Sequence, residues 1–304
     1  MGATDRTIRP RPLSVGETVR GTYSVYRRGL AAFLVMFGIV VIPDWGLTAL
    51  LKLVPEASEG ESALSAVRWA VSFLSGAIAV VAHTVAGGAA VFITSDMLLG
   101  RSVHVFDAFR RAARRCIPTF LAIALVGPVG VVAVGALAIP FLAVFGGSAW
   151  RPVVTIVFTF AVPIAAIAVY AWLGWMLPFH AILLERTGVI ESLGRSRRLM
   201  QWNRRRLLIC VALISYLEMV VFSVPSCALT MAVGGGVWFK TCWGSEPAPT
   251  ALAVSDAFLR GILSACTAAW LPIMTTVLYY DLRVREEGFN LDLRRALEVG
   301  RAPD

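Results

Sequence analysis

Six apolar stretches, each at or above the ~20 residues a helix needs to cross a bilayer, constrain this chain more than any other feature. They run from about Leu30 to Leu53, Trp69 to Leu99, Ile117 to Phe145, Val153 to Leu184, Leu207 to Met231 and Phe258 to Tyr280. Hydrophobic residues make up 58% of the 304 positions and charged residues only 15%, whereas a soluble domain is about a quarter charged. The composition therefore excludes a soluble enzyme, a secreted disulfide scaffold and a disordered linker. It predicts an all-α polytopic membrane protein of six transmembrane helices.

The cations set the expected orientation. Of 28 basic residues, 26 are arginine, and 23 fall in the N-terminal segment, the second-to-third connection, the fourth-to-fifth connection and the tail. Glu56, Glu59 and Glu61 lie in the opposite first loop. By the positive-inside rule both termini are expected on the cytoplasmic side of a multi-pass cell-membrane protein. The same rule accounts for the arginines without nucleic acid. The expected divisions are a cytoplasmic segment over 1–28, a membrane domain over 29–280 and a cytoplasmic tail over 281–304.

A threefold repeat precedes the odd-numbered spans. Val15-Gly16-Glu17-Thr18-Val19 aligns with Val105-Phe106-Asp107-Ala108-Phe109 and Val189-Ile190-Glu191-Ser192-Leu193, and Tyr26, Cys116 and Met200 follow at equal distance. Apolar positions recur at offsets 0, 4 and 11, one face of a helix. A small residue stands five places after each acid: Thr22, Ala112 and Ser196. The pattern predicts three helical hairpins, each preceded by a cytoplasmic amphipathic elbow helix, the first within 1–28 and the others near 102–116 and 188–203. Such helices lie in the headgroup region and attract anionic lipids. Arg110, Arg111, Arg195, Arg197, Arg198 and Arg204 are the expected contacts to headgroups or to a protein partner in the membrane.

Ionisable groups at mid-depth are costly and draw attention to function. Glu218 lies ~18 Å beyond Arg206 along the fifth helix and His83 ~20 Å before Asp96 on the second, at the usual helical rise. The functional reading has them face each other inside the bundle as a proton relay or polar ligand site; the alternative is a buried polar contact that fixes helix packing, or residues facing a wet internal crevice. His104 and His180 fall near the cytoplasmic boundary, where solvation is the simpler account. The five cysteines show no metal-ligand spacing and read as buried free thiols. No HExxH, GxSxG or GxxxxGK[ST] pattern occurs. Neither a metal nor a cofactor is expected.

The segment Thr275-Thr276-Val277-Leu278-Tyr279-Tyr280-Asp281-Leu282-Arg283-Val284-Arg285-Glu286-Glu287-Gly288-Phe289-Asn290-Leu291 resembles the closing motif of a bacterial family, the membrane domain of glycerophosphoryl diester phosphodiesterase. Ser192-Leu193-Gly194-Arg195-Ser196-Arg197-Arg198-Leu199 is similar to its mid-chain signature, and Arg11-Pro12-Leu13-Ser14-Val15-Gly16-Glu17 to its opening. Asn290 stands where an acidic residue is expected. The family name comes from members fused to a phosphodiesterase barrel of ~250 residues, a length not found here beside the six spans, so no catalytic residue carries over. The motif has a physical reading of its own. Asp281, Arg283, Arg285 and Glu286 are expected to form charge pairs, with Asp281 or Glu286 meeting an elbow arginine such as Arg197 or Arg198. The expected function is that of a non-catalytic accessory or scaffold module in a bacterial membrane or lipid-linked assembly. The competing reading is a transporter or channel for a lipid or small polar solute through His83 and Glu218.

Overall fold

In the computed structural model, which describes residues 13–53, 62–129, 172, 174–243 and 250–287, the chain is helical, with no strand among the described residues. The elements are α1 (Val15–Leu53), α2 (Ser62–Leu98), α3 (Val105–Arg114), α4 (Cys116–Val129), a single turn α5 (Pro178–His180) continued by a π-helical turn (Ala181–Glu185), α6 (Val189–Met200), α7 (Arg204–Trp243), α8 (Thr250–Thr267) and α9 (Trp270–Glu287). Three segments are long and apolar enough to cross a membrane: Val15–Val40, Trp69–Leu98 and Gly261–Glu287, the last joining the end of α8 to α9. A fourth results if α3 and α4, bent by 64°, form one span. The later part of the third apolar run, most of the fourth and the tail from 288 lie outside the described residues.

Local chemistry explains where helices start and stop. Ser14 and Glu17 exchange hydrogen bonds at the start of α1, Ser14 N–H to Glu17 Oε2 at 2.8 Å and Glu17 N–H to Ser14 Oγ at 3.2 Å, a reciprocal capping box. At the end of α2, Gly100 takes a φ of 70°. This lets Arg101 N–H reach Asp96 O and Gly100 N–H reach Met97 O, the paired bonds that close a helix C-terminus. Proline sets two breaks. Pro118 has no N–H to offer the carbonyl of Arg114, where α3 ends, and Pro272 none for Ala268, in the turn between α8 and α9.

The three repeats begin at equivalent points, since Val15, Val105 and Val189 each open a helix. Their connections differ. The first elbow is not a separate helix; α1 runs without interruption from Val15 into the first apolar run, because no proline or turn interrupts Tyr26-Arg27-Arg28-Gly29. The second bends at Arg115 and the third ends in the turn 201–203.

What the repeats bury is their small-residue face. Thr18 and Thr22, Ala108 and Ala112, and Ser192 and Ser196, at offsets 3 and 7, are all buried, whereas the apolar offsets 0 and 4 are half-exposed in each unit. Small side chains let helix backbones approach closely. A Cβ added to Gly88 of α2 would lie 3.1 Å from the Ala112 Cβ. The Ser196 hydroxyl donates to Gly174 O and accepts from Leu177 N–H. Threonine hydroxyls in α1 bond back to Ser14 O and Thr18 O.

The main core lies among α1, α2 and α9, around Phe33, Met36, Ala89, Ile93, Ile273 and Tyr280, and α8 packs along α1. A second cluster joins Leu177, Leu199, Met200, Leu207, Leu278, Tyr279 and Leu282.

One glycine pair tests this packing. Gly88→Leu drives a side chain into α3 and should cost about 1–3 kcal/mol, as overpacking does. Gly194→Leu, on the open face of α6 with nothing within 4 Å, should instead gain up to about 1 kcal/mol from helix propensity. Thermal unfolding in detergent reads both signs.

Candidate functional site

Consecutive residues on an α-helix point about 100° apart, so Tyr279, Tyr280 and Asp281 of α9 diverge toward three different parts of the fold. The Tyr280 hydroxyl meets Ser95 Oγ near the end of α2 at 2.6 Å. Tyr279 donates to Glu185 Oε1, at the end of the π turn, at 2.5 Å. Asp281, 4% exposed, accepts from Leu13 N–H at 2.6 Å, Arg206 Nη1 at 2.5 Å and Arg285 Nε at 2.9 Å. Arg285 also donates to Leu13 O, and Arg206 to Thr18 Oγ1. The start of α1, the start of α7 and the end of α9 thus meet on one carboxylate.

Two further acid–arginine clasps hold the other elbows. Asp96, near the end of α2, accepts from Arg111 Nη2 of α3 at 2.5 Å, and the Arg111 guanidinium lies 4.7 Å over the Phe92 ring. Glu185 accepts from Arg195 Nε of α6 at 2.8 Å, and Arg195 also pairs with Glu287. Arg111 and Arg195 each stand six residues after the start of their elbow. The first elbow carries Gly21 at that place, and its acid, Asp281, takes Arg206 and the Leu13 amide instead.

The electrostatics of the third clasp follow from this geometry. Burial alone pushes the Glu185 carboxyl up, but hydrogen bonds from Arg195 and Tyr279 and the nearby Arg283 outweigh it, leaving the group below the usual carboxylate range. The hydrogen bond to Glu185 holds the Arg195 guanidinium above its ordinary value, against burial.

Between the ends of α2 and α9, the α3–α4 bend and the π turn lies a cleft of about 1240 Å³. Ser95, Asp96, Glu185 and Tyr280 line it together with Arg101, Arg111, Arg114, Arg115, Arg186 and Arg283. Phe92, Leu99, Pro118, Leu183 and Leu184 supply apolar wall. Arg186 ends the π turn in the left-handed region at φ 59°, a conformation uncommon for a residue with a Cβ.

The remaining residues singled out from sequence are scattered. His83 bonds through Nδ1 to Ala79 O of its own helix at 2.8 Å. No hydrogen bond or ion pair joins it to Glu218 among the described residues. The expected facing pair does not form, because α2 packs on α1, α3 and α9 whereas α7 packs on α8, α9 and α1. His180 is fully buried rather than solvated. Its ring stacks 5.4 Å from that of Tyr279, and Nε2 lies 3.2 Å from Thr276 Oγ1. Arg197 and Arg198 are exposed and do not reach the α9 motif; Arg206 and Arg195 do so instead. Glu286 accepts from Asn203 Nδ2 at 3.0 Å, and Arg283 pairs with Glu287 and Glu185. Arg110 is exposed, and Arg204 lies against Gly174. Cys116, Cys210 and Cys266 are free thiols, and the Cys227 and Cys242 side chains lie outside the described residues. Sequence reasoning missed Asp96, Glu185 and Arg206 as clasp residues. The available signal was a lone acid closing each even-numbered apolar run.

Among the described residues no group of three His, Cys, Asp or Glu side chains stands close enough to hold a metal ion. No family model matches the chain, and no curated protein or solved structure is detectably similar to it.

Asp281→Ala leaves Arg206 and Arg285 around an emptied site and should cost about 3–5 kcal/mol, the range for breaking a buried ion pair; chemical unfolding in detergent measures it. Glu185 gives a pH dependence of known sign. Its folded value is depressed, so its contribution is complete above the unfolded value of 4.5 and is lost as pH falls through the lower folded value. Melting temperatures taken from pH 7 to 3 should show an acid limb that Glu185→Gln flattens.

Proposed function

We propose that this chain is a non-catalytic integral membrane module that organises a bacterial membrane or lipid-linked assembly through elbows held at the cytoplasmic headgroup layer. The reading takes six spans, three hairpins and both termini on the cytoplasmic side, and it places the chain with the membrane domains of the glycerophosphoryl diester phosphodiesterase family. Hydropathy, arginine distribution and the Tyr279-Tyr280-Asp281 motif support those choices.

One observation carries the functional part. Each boundary carboxylate, Asp96, Glu185 and Asp281, holds an arginine across a helix junction, so these charges fix elbows in place. The same elbows turn large apolar side chains outward at their second position, Phe106 at 81% and Ile190 at 84% exposure. An amphipathic helix pinned on one side and apolar on the other suits burial in the headgroup–acyl boundary.

Depth measurements test the placement. Nitroxide labels on Phe106→Cys and Ile190→Cys, in vesicles containing phosphatidylglycerol, should be more accessible to oxygen than to an aqueous nickel relaxant, with the order reversed at Arg197→Cys. Water-like accessibility at positions 106 and 190 would remove the interfacial elbows and with them this function.

A further inference from the structure

The geometry points to the arginine-lined cleft between the α3–α4 bend and the π turn as a binding site for the phosphomonoester group of a membrane lipid. The inference rests on the membrane placement proposed above and adds the ligand class.

The charge count within the cleft is unbalanced. Six arginines face two carboxylates, and those carboxylates are engaged, Asp96 by Arg111 and Glu185 by Arg195 and Arg283. Among the described residues no carboxylate pairs with Arg114, Arg115 or Arg186. These three approach the cleft from opposite sides, two from the α3–α4 bend and one from the end of the π turn. A guanidinium presents a planar fork of donors that matches phosphate oxygens in pairs, and such charge-assisted bonds are among the strongest. Three forks suit a terminal phosphate with three free oxygens and close to two negative charges. A phosphodiester offers two oxygens and one charge, and a carboxylate the same.

The walls point to a lipid as the source. Pro118 and Leu184 line the cleft, and directly beyond the bend α4 exposes Ile117 at 75% and Leu121 at 49%. The guanidiniums therefore sit at the head of an apolar surface, the arrangement an amphiphile with a charged end requires. Arg111 is already fixed by Asp96 and the Phe92 ring, so part of the donor set is ordered before any ligand arrives, which lowers the cost of binding.

Native mass spectrometry of the full chain in detergent tests the site, with equal amounts of dioleoyl phosphatidic acid and dioleoyl phosphatidylglycerol as probes. Phosphatidic acid should be retained about tenfold over phosphatidylglycerol, in line with the stronger charge-assisted bonding of a dianion. The combined R114Q/R115Q/R186Q variant should lose that preference, and R20Q/R27Q, two exposed arginines of α1, should keep it. R186G guards against a folding artefact, because glycine adopts a φ of 59° without strain; it should weaken retention while preserving the melting temperature. Equilibrium dialysis with labelled inorganic phosphate separates the sources. Phosphate binding that the same variants abolish and phosphatidic acid does not displace would uphold the phosphate site and transfer it to a soluble ligand. Equal retention of the two lipids with no phosphate binding, or retention unchanged in both the triple variant and R186G, would overturn the proposal. Binding is read in detergent, so failure here is separable from failure of the bilayer depth measurement.

Discussion

A buried carboxylate is costly unless its hydrogen-bonding capacity is met by donors and opposite charge, and at Asp281 that requirement organises the protein. Its partners are a backbone amide at the entrance to α1, a guanidinium from the first turn of α7 and a guanidinium one turn along its own helix. The first of these, Leu13, is 268 positions from Asp281 in sequence. The carboxylate is satisfied only when the beginning and the end of the described chain lie side by side. The two tyrosines before it extend the control to Ser95 and Glu185. Three consecutive residues therefore orient the exit of α2, the π turn and the entrance of α1.

The other two clasps repeat the device. An acid at the end of an apolar run takes the arginine six residues into the next elbow, as Asp96 does with Arg111 and Glu185 with Arg195. The first elbow cannot follow because Gly21, which has no side chain to reach an acid, occupies the equivalent place. Arg206 then reaches Asp281 from α7 and ties in Thr18 of the elbow as well. The small residues at offsets 3 and 7 complete the logic. They bring each elbow close enough to its support for a short arginine contact to form.

The arginines in and beside the elbows thereby fall into three sets. Those directed inward, Arg111, Arg195 and Arg206, are spent on carboxylates and hold helices together. Those at the bend and the end of the π turn, Arg114, Arg115 and Arg186, meet no carboxylate among the described residues and remain around the cleft. Surface arginines such as Arg197 and Arg198 form a third set whose charge faces outward. Positive charge beside the apolar runs is one signal in sequence and takes three different settings in the structure.

Composition and hydropathy made the helical, membrane-compatible character legible, because the energetic demand on apolar runs of this length is local and has few solutions. The repeat was legible too: its three aligned segments each open a helix, at Val15, Val105 and Val189, against elbows expected within 1–28 and near 102–116 and 188–203, and its small residues Thr22, Ala112 and Ser196 are buried. The Tyr279-Tyr280-Asp281 motif drew notice as a pattern, but its partners did not. Helical spacing shows which residues share a face and leaves open which helix that face meets, so the expected partner of Asp281, an elbow arginine such as Arg197 or Arg198, gives way to Arg206. His83 and Glu218 likewise do not meet, since an expected equal depth does not make two helices neighbours. His180, expected to be solvated, is fully buried and stacks on the Tyr279 ring. By itself the sequence determined the helical, membrane-compatible character of the described apolar runs and the repeat whose three copies each open a helix, consequences of short-range chemistry. Only the tertiary structure decided which carboxylate meets which arginine and where a cleft remains, because those depend on helix packing between residues far apart in the chain.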